Sequence, residues 1–280
     1  MNPPLLGYER CGDGPERVLV LPGVPNDFAF YGPLLHCLDG TAFSYAFPDY
    51  RGFGRSRGIE GDYSFPELIG DVLALADYLK WPRFHLVGHS FGGMLAQRLV
   101  VDAGDRVKSV VAVTPAPACG LKPEPATRDF MLGGADKDEN IRIALDLMTG
   151  NRLSAVWRDW MTRTARQSMT RAAYLGYLTL AMDTDFSEML HGSATPFLVL
   201  AGEHDAGYPP DLMRRTLLSW LPNATLEVIP NCGHFPMQEA PIWLAARMEA
   251  FMRLHACGTV EADPHQPPLS IGGPHATRSA

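Results

Sequence analysis

The chain has 280 residues, enough for one large α/β domain or a domain carrying an insertion. Its 46% hydrophobic and 20% charged composition is that of an ordinary globular protein, and a net charge of −7 without any Lys/Arg cluster argues against nucleic acid as a partner. No apolar run approaches the ~20 residues that span a bilayer, so no membrane partner is expected.

In chain order, residues 1–10 lack the basic-then-apolar build of a signal peptide. Residues 17–21, 43–47, 84–87 and 107–113 are short runs rich in β-branched or aromatic side chains and predict strands. Between them, residues 33–38 and 67–79 predict helices; in the second, Leu68, Val72, Leu75, Ala76 and Leu79 fall at helical spacing. Strands separated by helices need crossover connections, which gives an α/β class with a mostly parallel central sheet flanked by helices.

From Cys119 to Ala194 the composition shifts to Met, Ala, Arg and Trp with few strand signals, after a Pro-rich opening. This stretch, 119–194, predicts a helical lid over the C-terminal ends of the strands, inserted between a first core part (1–118) and a second (195–256). The second part resumes with strands at 197–200 and 225–229 and helices at 211–220 and 241–254, Pro241 being favoured in a first turn. Residues 257–280 lose hydrophobic periodicity and predict a disordered tail. Five scattered cysteines without a C-x-x-C pair point to a reducing, cytoplasmic setting and away from a disulfide framework or a zinc site.

The richest segment is Gly88-His89-Ser90-Phe91-Gly92, which ends the apolar run 84–87 and opens a helical stretch at 93–100. A serine at a sharp strand-to-helix turn is strained, with its hydroxyl pushed out above the sheet, and glycines two positions away let neighbouring backbone pass. G-x-S-x-G alone also occurs by chance in ordinary turns. The strand before it, the helix after it and partners further along single out Ser90 as a nucleophile.

A serine hydroxyl needs a base, and an imidazole base needs an acid to orient it. Asp205 follows the strand at 197–200, with Glu203 and His204 beside it as competitors, and His234 follows the strand at 225–229 within Gly233-His234-Phe235-Pro236. The order Ser, Asp, His is that of the α/β-hydrolase triad. The other histidines fit less well: His85 lies inside a strand, His255, His265 and His275 fall at or past the last helix, and His36 and His191 lack a strand-end setting. His85 and His89 sit on a strand and its turn, so they do not share a helical face as metal ligands. Gly52 to Gly58 lacks the Gly-Lys-Ser/Thr end of a phosphate loop, and Cys232 reads as a small buried side chain.

With Leu21-Pro22-Gly23-Val24-Pro25, the segment from Asp49 to Ser56 and Gly202-Glu203-His204-Asp205, these motifs cover residues 17 to 254. The sequence resembles the lidded α/β-hydrolase-fold enzymes of the esterase, lactonase and carbon–carbon hydrolase group. The resemblance implies an α/β-hydrolase fold and a Ser90, Asp205, His234 triad, the acid being the last residue of Gly-x-x-Asp. No acid follows 107–113, where some relatives keep theirs. It also implies an oxyanion hole built from the Phe91 N–H and from the loop after 17–21. There the group usually has His-Gly and this chain has Pro22-Gly23, so the Val24 N–H is expected to serve. Ser90 separates the chain from dehalogenases and epoxide hydrolases of this fold, which place an Asp at that position.

The lid holds Met131, Trp157, Trp160, Tyr174 and Tyr177, which predict a wide apolar pocket for a bulky or aromatic ester, though each also has a packing role available. Five arginines against one acid between Asn151 and Tyr177 fit either a solvated face or recognition of an anionic substrate or carrier. The expected activity is hydrolysis of a carboxylic ester or lactone through an acyl-enzyme. Thioesterase, acyltransferase and carbon–carbon hydrolase chemistry use the same parts. A non-catalytic ligand-binding protein and a cofactor-free oxygenase are the readings from other classes. No metal or organic cofactor is expected, and the partner is a small molecule or a carrier-bound acyl group.

Overall fold

The computed structural model describes residues 4–256. Seven strands form one sheet: β1 (Tyr8–Cys11), β2 (Glu16–Leu21), β3 (Phe43–Pro48), β4 (Phe84–His89), β5 (Val107–Val113), β6 (Phe197–Gly202) and β7 (Ala224–Ile229). Their order is β1-β3-β2-β4-β5-β6-β7. Every pairing is parallel except β1 with β3, where Tyr8 faces Pro48 and Cys11 faces Tyr45. β3, β4 and β6 are buried along their whole length, as parallel strands covered on both faces must be. That burial is why they read as continuous apolar runs.

β1 is the one strand that the sequence pattern did not announce. Tyr-Glu-Arg-Cys has no apolar alternation, and as a short antiparallel edge strand it needs none. The two central helices are α1 (Phe65–Tyr78) and α2 (Phe91–Ala103). Ser64 caps α1 by accepting from the Glu67 amide, and α2 packs against β4 and β5. The expected helix at 33–38 is a single turn, Gly32–Leu35. The expected helix at 211–220 is two pieces, Pro210–Arg215 and Leu217–Trp220, because Thr216 leaves helical geometry at φ −117° and ψ −99°.

Between β5 and β6 the chain forms four helices: α3 (Pro125–Gly133), α4 (Asp138–Met148), α5 (Ala155–Ser168) and α6 (Arg171–Asp183). Ser154 and Thr170 cap α5 and α6 through their side-chain oxygens. The break between them at Met169 and Thr170 is fastened to the core: Met169 bridges Phe53, and the Thr170 amide donates to the Gly52 carbonyl at 2.8 Å. After β7, α7 (Pro241–Leu254) closes the described chain. The tail expected at 257–280 lies outside the described residues. Among the described residues, no helix is long and apolar enough to cross a membrane.

Candidate active site

Ser90 sits between β4 and α2 with φ 53° and ψ −117°, a left-handed conformation that costs a non-glycine residue about 1–3 kcal/mol. The strain is held by packing that admits no side chain nearby. A Cβ on Gly92 would strike the Leu21 and Pro22 carbonyls, and one on Gly23 would lie 2.8 Å from His89 Nδ1 and 2.9 Å from Ser90 Cβ. The loop after β2 is therefore pressed directly against the turn. It brings Val24, whose peptide to Pro25 is cis, to the same cavity wall as Phe91. Phe91 opens α2, so its N–H has no intrahelical acceptor.

Asp205 and His234 leave the C-terminal ends of β6 and β7. His234 Nδ1 lies 2.6 Å from Asp205 Oδ2, and both side chains are almost fully buried. The other carboxylate oxygen, Oδ1, accepts from the Gly207 and Tyr208 amides at 2.9 and 3.1 Å. Three donors therefore hold that carboxylate, two backbone amides and the imidazole, which fixes the ring with Nε2 free. Ser90 and His234 line one cavity together. Among the described residues, no hydrogen bond joins the Ser90 hydroxyl to the imidazole; such contacts are often long without substrate.

The loop carrying His234 is clamped from several directions. Its amide donates to the Met148 carbonyl at 2.9 Å, at the end of α4. Its carbonyl accepts from His89 Nε2 at 2.8 Å and from the Thr114 hydroxyl at 3.0 Å. A carbonyl only accepts, so His89 carries its proton on Nε2, and Nδ1 faces the Asn26 amide at 3.4 Å. Burial, with the His234 ring beside it, holds the His89 pKa well below the ordinary imidazole value. Glu239 grips both flanks of His234 by accepting from the Gly233 and Phe235 amides at 2.8 and 3.0 Å, and Arg152 pairs with it at 2.9 Å.

Tyr208 is a residue that the sequence pattern did not single out. Its ring stacks on the His234 imidazole, centroids 5.0 Å apart and planes within 22°. Its phenol adjoins Ser90 in the cavity and is pushed well above its ordinary pKa by burial and by the Asp205 charge, an effect that Ser90 opposes. Only its place three residues after Asp205 hinted at this. Thr114 and His89 were equally silent, because their partner is a backbone carbonyl more than 100 positions away.

The cavity measures about 100 Å³ and its wall is mostly apolar. Of the five aromatic and Met residues expected there, Met131 and Tyr174 line it and three do not. Trp157 packs on Phe235 and Trp160 on Phe30. Tyr177 is completely buried among Tyr50, Phe53, Tyr63 and Phe91. The cavity is apolar as expected but small rather than wide, and these three rings pack the insertion to the core instead of lining it.

The arginines of the insertion are similarly occupied. Arg158 pairs with Asp146, Arg166 with Asp138, Arg171 with Asp136 and Arg152 with Glu239, so four of the five tie helices and loops together rather than face the cavity. The carboxylates come from outside the 151–177 stretch, which is why that stretch looked unbalanced. Cys232 is fully buried, and burial pushes its thiol pKa up. No cluster of three or more His, Cys, Asp or Glu suited to a metal exists among the described residues.

A parallel sheet with a strained serine after its fourth strand, and with acid and imidazole loops after its last two, defines an α/β hydrolase. The chain belongs to the alpha/beta hydrolase fold family, whose model matches residues 16–241. Poly(3-hydroxyalkanoate) depolymerase from Ectopseudomonas oleovorans is 27% identical over 83% of this chain and 80% of its own length. 2-Hydroxymuconate semialdehyde hydrolase from Pseudomonas putida is 29% identical over 73% of this chain and 75% of its own. The solved bromoperoxidase from Bacillus anthracis superposes with a TM-score of 0.79 at 23% identity, covering 88% of this chain and 94% of that one. The depolymerase and the semialdehyde hydrolase support a hydrolase, and the bromoperoxidase structure supports the fold.

Proposed function

We infer that the protein is a serine hydrolase cleaving a carboxylic ester or lactone. The observation that carries this reading is a strained, nearly enclosed Ser90 sharing one cavity with a His234 whose Nδ1 is held 2.6 Å from Asp205. Ser90 Oγ attacks the carbonyl carbon as His234 Nε2 takes its proton. Asp205 holds the ring and stabilises the imidazolium. The oxyanion is received by the Val24 and Phe91 amides, the second at a helix N-terminus whose dipole favours negative charge. His234 returns the proton to the leaving alcohol, and water repeats the sequence to free the acid.

The helices α3 to α6 act as a lid whose underside recognises the substrate. At about 100 Å³ the cavity is small beside the roughly 300–1,000 Å³ of common ligand pockets, which favours a slender apolar chain over a bulky aromatic group. The test is covalent labelling by a fluorophosphonate probe, with turnover measured on a panel of esters and lactones. Ser90→Ala is expected to lose both; labelling that persists in the variant, or a labelled protein that cleaves nothing on the panel, contradicts the assignment.

A further inference from the structure

The wall of the cavity has a direction. On α4 its lining residues are Asn140, Ile141, Ala144, Leu145 and Met148, the spacing of one helix face. On α6 Tyr174, Leu178 and Ala181 repeat that spacing. A helix rises about 1.5 Å per residue, so the stretch from Asn140 to Met148 covers ~12 Å. A space of about 100 Å³ bordered by a wall of that length suits a narrow ligand. Met148 marks its reacting end, since its carbonyl holds the His234 amide. Asn140 marks the other.

Most polar groups on the wall are already committed. His89 is held between Asn26 and the His234 carbonyl, and Tyr174 donates its hydroxyl to the Met131 carbonyl at 2.9 Å. Ser90, Tyr208 and His234 belong to the reacting end. Asn140 differs. Its Nδ2 donates to the Phe130 carbonyl at 2.7 Å, which fixes the amide's orientation, because the flipped amide would set oxygen against oxygen. That leaves Oδ1 and the second N–H with no protein partner among the described residues. Asn140 is half-buried, so this free edge of the amide remains available to a ligand in the cavity that it lines.

We propose that Asn140 is a specificity-determining residue for a slender chain that carries a neutral hydroxyl at the end remote from its ester. The hydroxyl donates to Asn140 Oδ1 and accepts from its free N–H. An extended chain advances ~1.2 Å per bond, so ~12 Å places the hydroxyl roughly eight to ten bonds from the ester. A carboxylate there is disfavoured, because no Lys or Arg lines the cavity and an unpaired buried charge is costly. The inference rests on the serine-hydrolase reading and adds the substrate class to it.

The experiment compares kcat/KM for methyl esters of straight-chain acids with their ω-hydroxy counterparts, from about six to about twelve carbons. A parallel arm uses acetates of α,ω-diols and of simple alcohols, which distinguishes a hydroxyl on the acyl side from one on the alcohol side. The wild type is expected to prefer the hydroxylated member by roughly tenfold at one length in one arm, and Asn140→Leu to bring that ratio to one or below. Each variant's rate on the methyl-terminated ester serves as its own folding control, and Asn140→Ser provides a milder change with the same expected direction. If Asn140 only caps the Phe130 carbonyl, both substrates fall together and the ratio stays put, which overturns the proposal. A wild type without any hydroxyl preference overturns it as well. Hydrolysis of neither series, with no fluorophosphonate labelling, removes the underlying reading too.

Discussion

His89 Nε2 donates to the main-chain carbonyl of His234 at 2.8 Å, so the residue preceding Ser90 fixes the backbone of His234. The Ser90 turn and the His234 loop come from strands separated by β5 and β6 in the sheet, and this bond spans them. Replacing His89 with Ala is expected to cost about 2–4 kcal/mol of stability and about tenfold in kcat/KM. Urea melts and ester kinetics on the same preparation check it; unchanged kinetics would show that the bond does not position the base.

Tyr208 covers one face of the His234 imidazole. Tyr208→Phe keeps the stack and should hold kcat/KM within about threefold, whereas Tyr208→Ala should lose about tenfold. Equal losses in both variants would assign the effect to the phenol.

Gly23 approaches Ser90 and His89 so closely that a methyl group has no room. Gly23→Ala is expected to lower kcat/KM by about a hundredfold, because displacing this loop moves the Val24 amide away from the reacting carbonyl. The measurement is turnover alongside fluorophosphonate labelling. Full activity would mean that Val24 does not serve the oxyanion.

Arg152 is the ionic partner of Glu239, whose side chain is only 2% exposed. Arg152→Ala leaves that carboxylate buried and unpaired, at a cost of about 3–5 kcal/mol, and loosens the loop that carries His234. Glu239→Gln in the Arg152→Ala background should recover part of the stability. Thermal unfolding of the two variants tests the coupling.

His85, enclosed in β4 and bonded to Ser109 and Glu16, has its pKa lowered to about 4, chiefly by burial and despite Glu16. The unfolded imidazole titrates near 6.5, so between these values the unfolded chain binds more protons than the native one. The His85 contribution is complete above pH ~6.5 and disappears as pH falls towards 4, amounting to about 3 kcal/mol. Asp49, whose carboxyl is raised by burial, works in the opposite sense at the lower end of that range. Urea stability measured from neutral pH down to about pH 5 should fall, and His85→Asn should flatten part of the slope.

What the sequence revealed follows from how local each signal is. The parallel strands, Ser90, Asp205 and His234 were legible because each sits in a short motif at a strand end, and chain order alone supplies the relation between them. β1 was not legible, since a four-residue edge strand carries no periodicity. In the insertion, the residue types were plain but their facing was not. Trp157, Trp160 and Tyr177 are as apolar as Met131 and Tyr174, and residue type alone does not say which of them turn towards the cavity; Tyr174 and Tyr177 differ although they share α6. His89, Thr114 and Glu239 act through backbone groups, which leave no mark on the identity of their partner.

The bond from the His234 amide to the Met148 carbonyl joins the base to the roof of its own chamber. α4 cannot lift at that end without releasing the main chain that aims the imidazole. On the proposed reading of His234 as the base, any displacement of α4 at that end also displaces the imidazole, so the placement of the cavity wall and the aim of the base depend on one hydrogen bond.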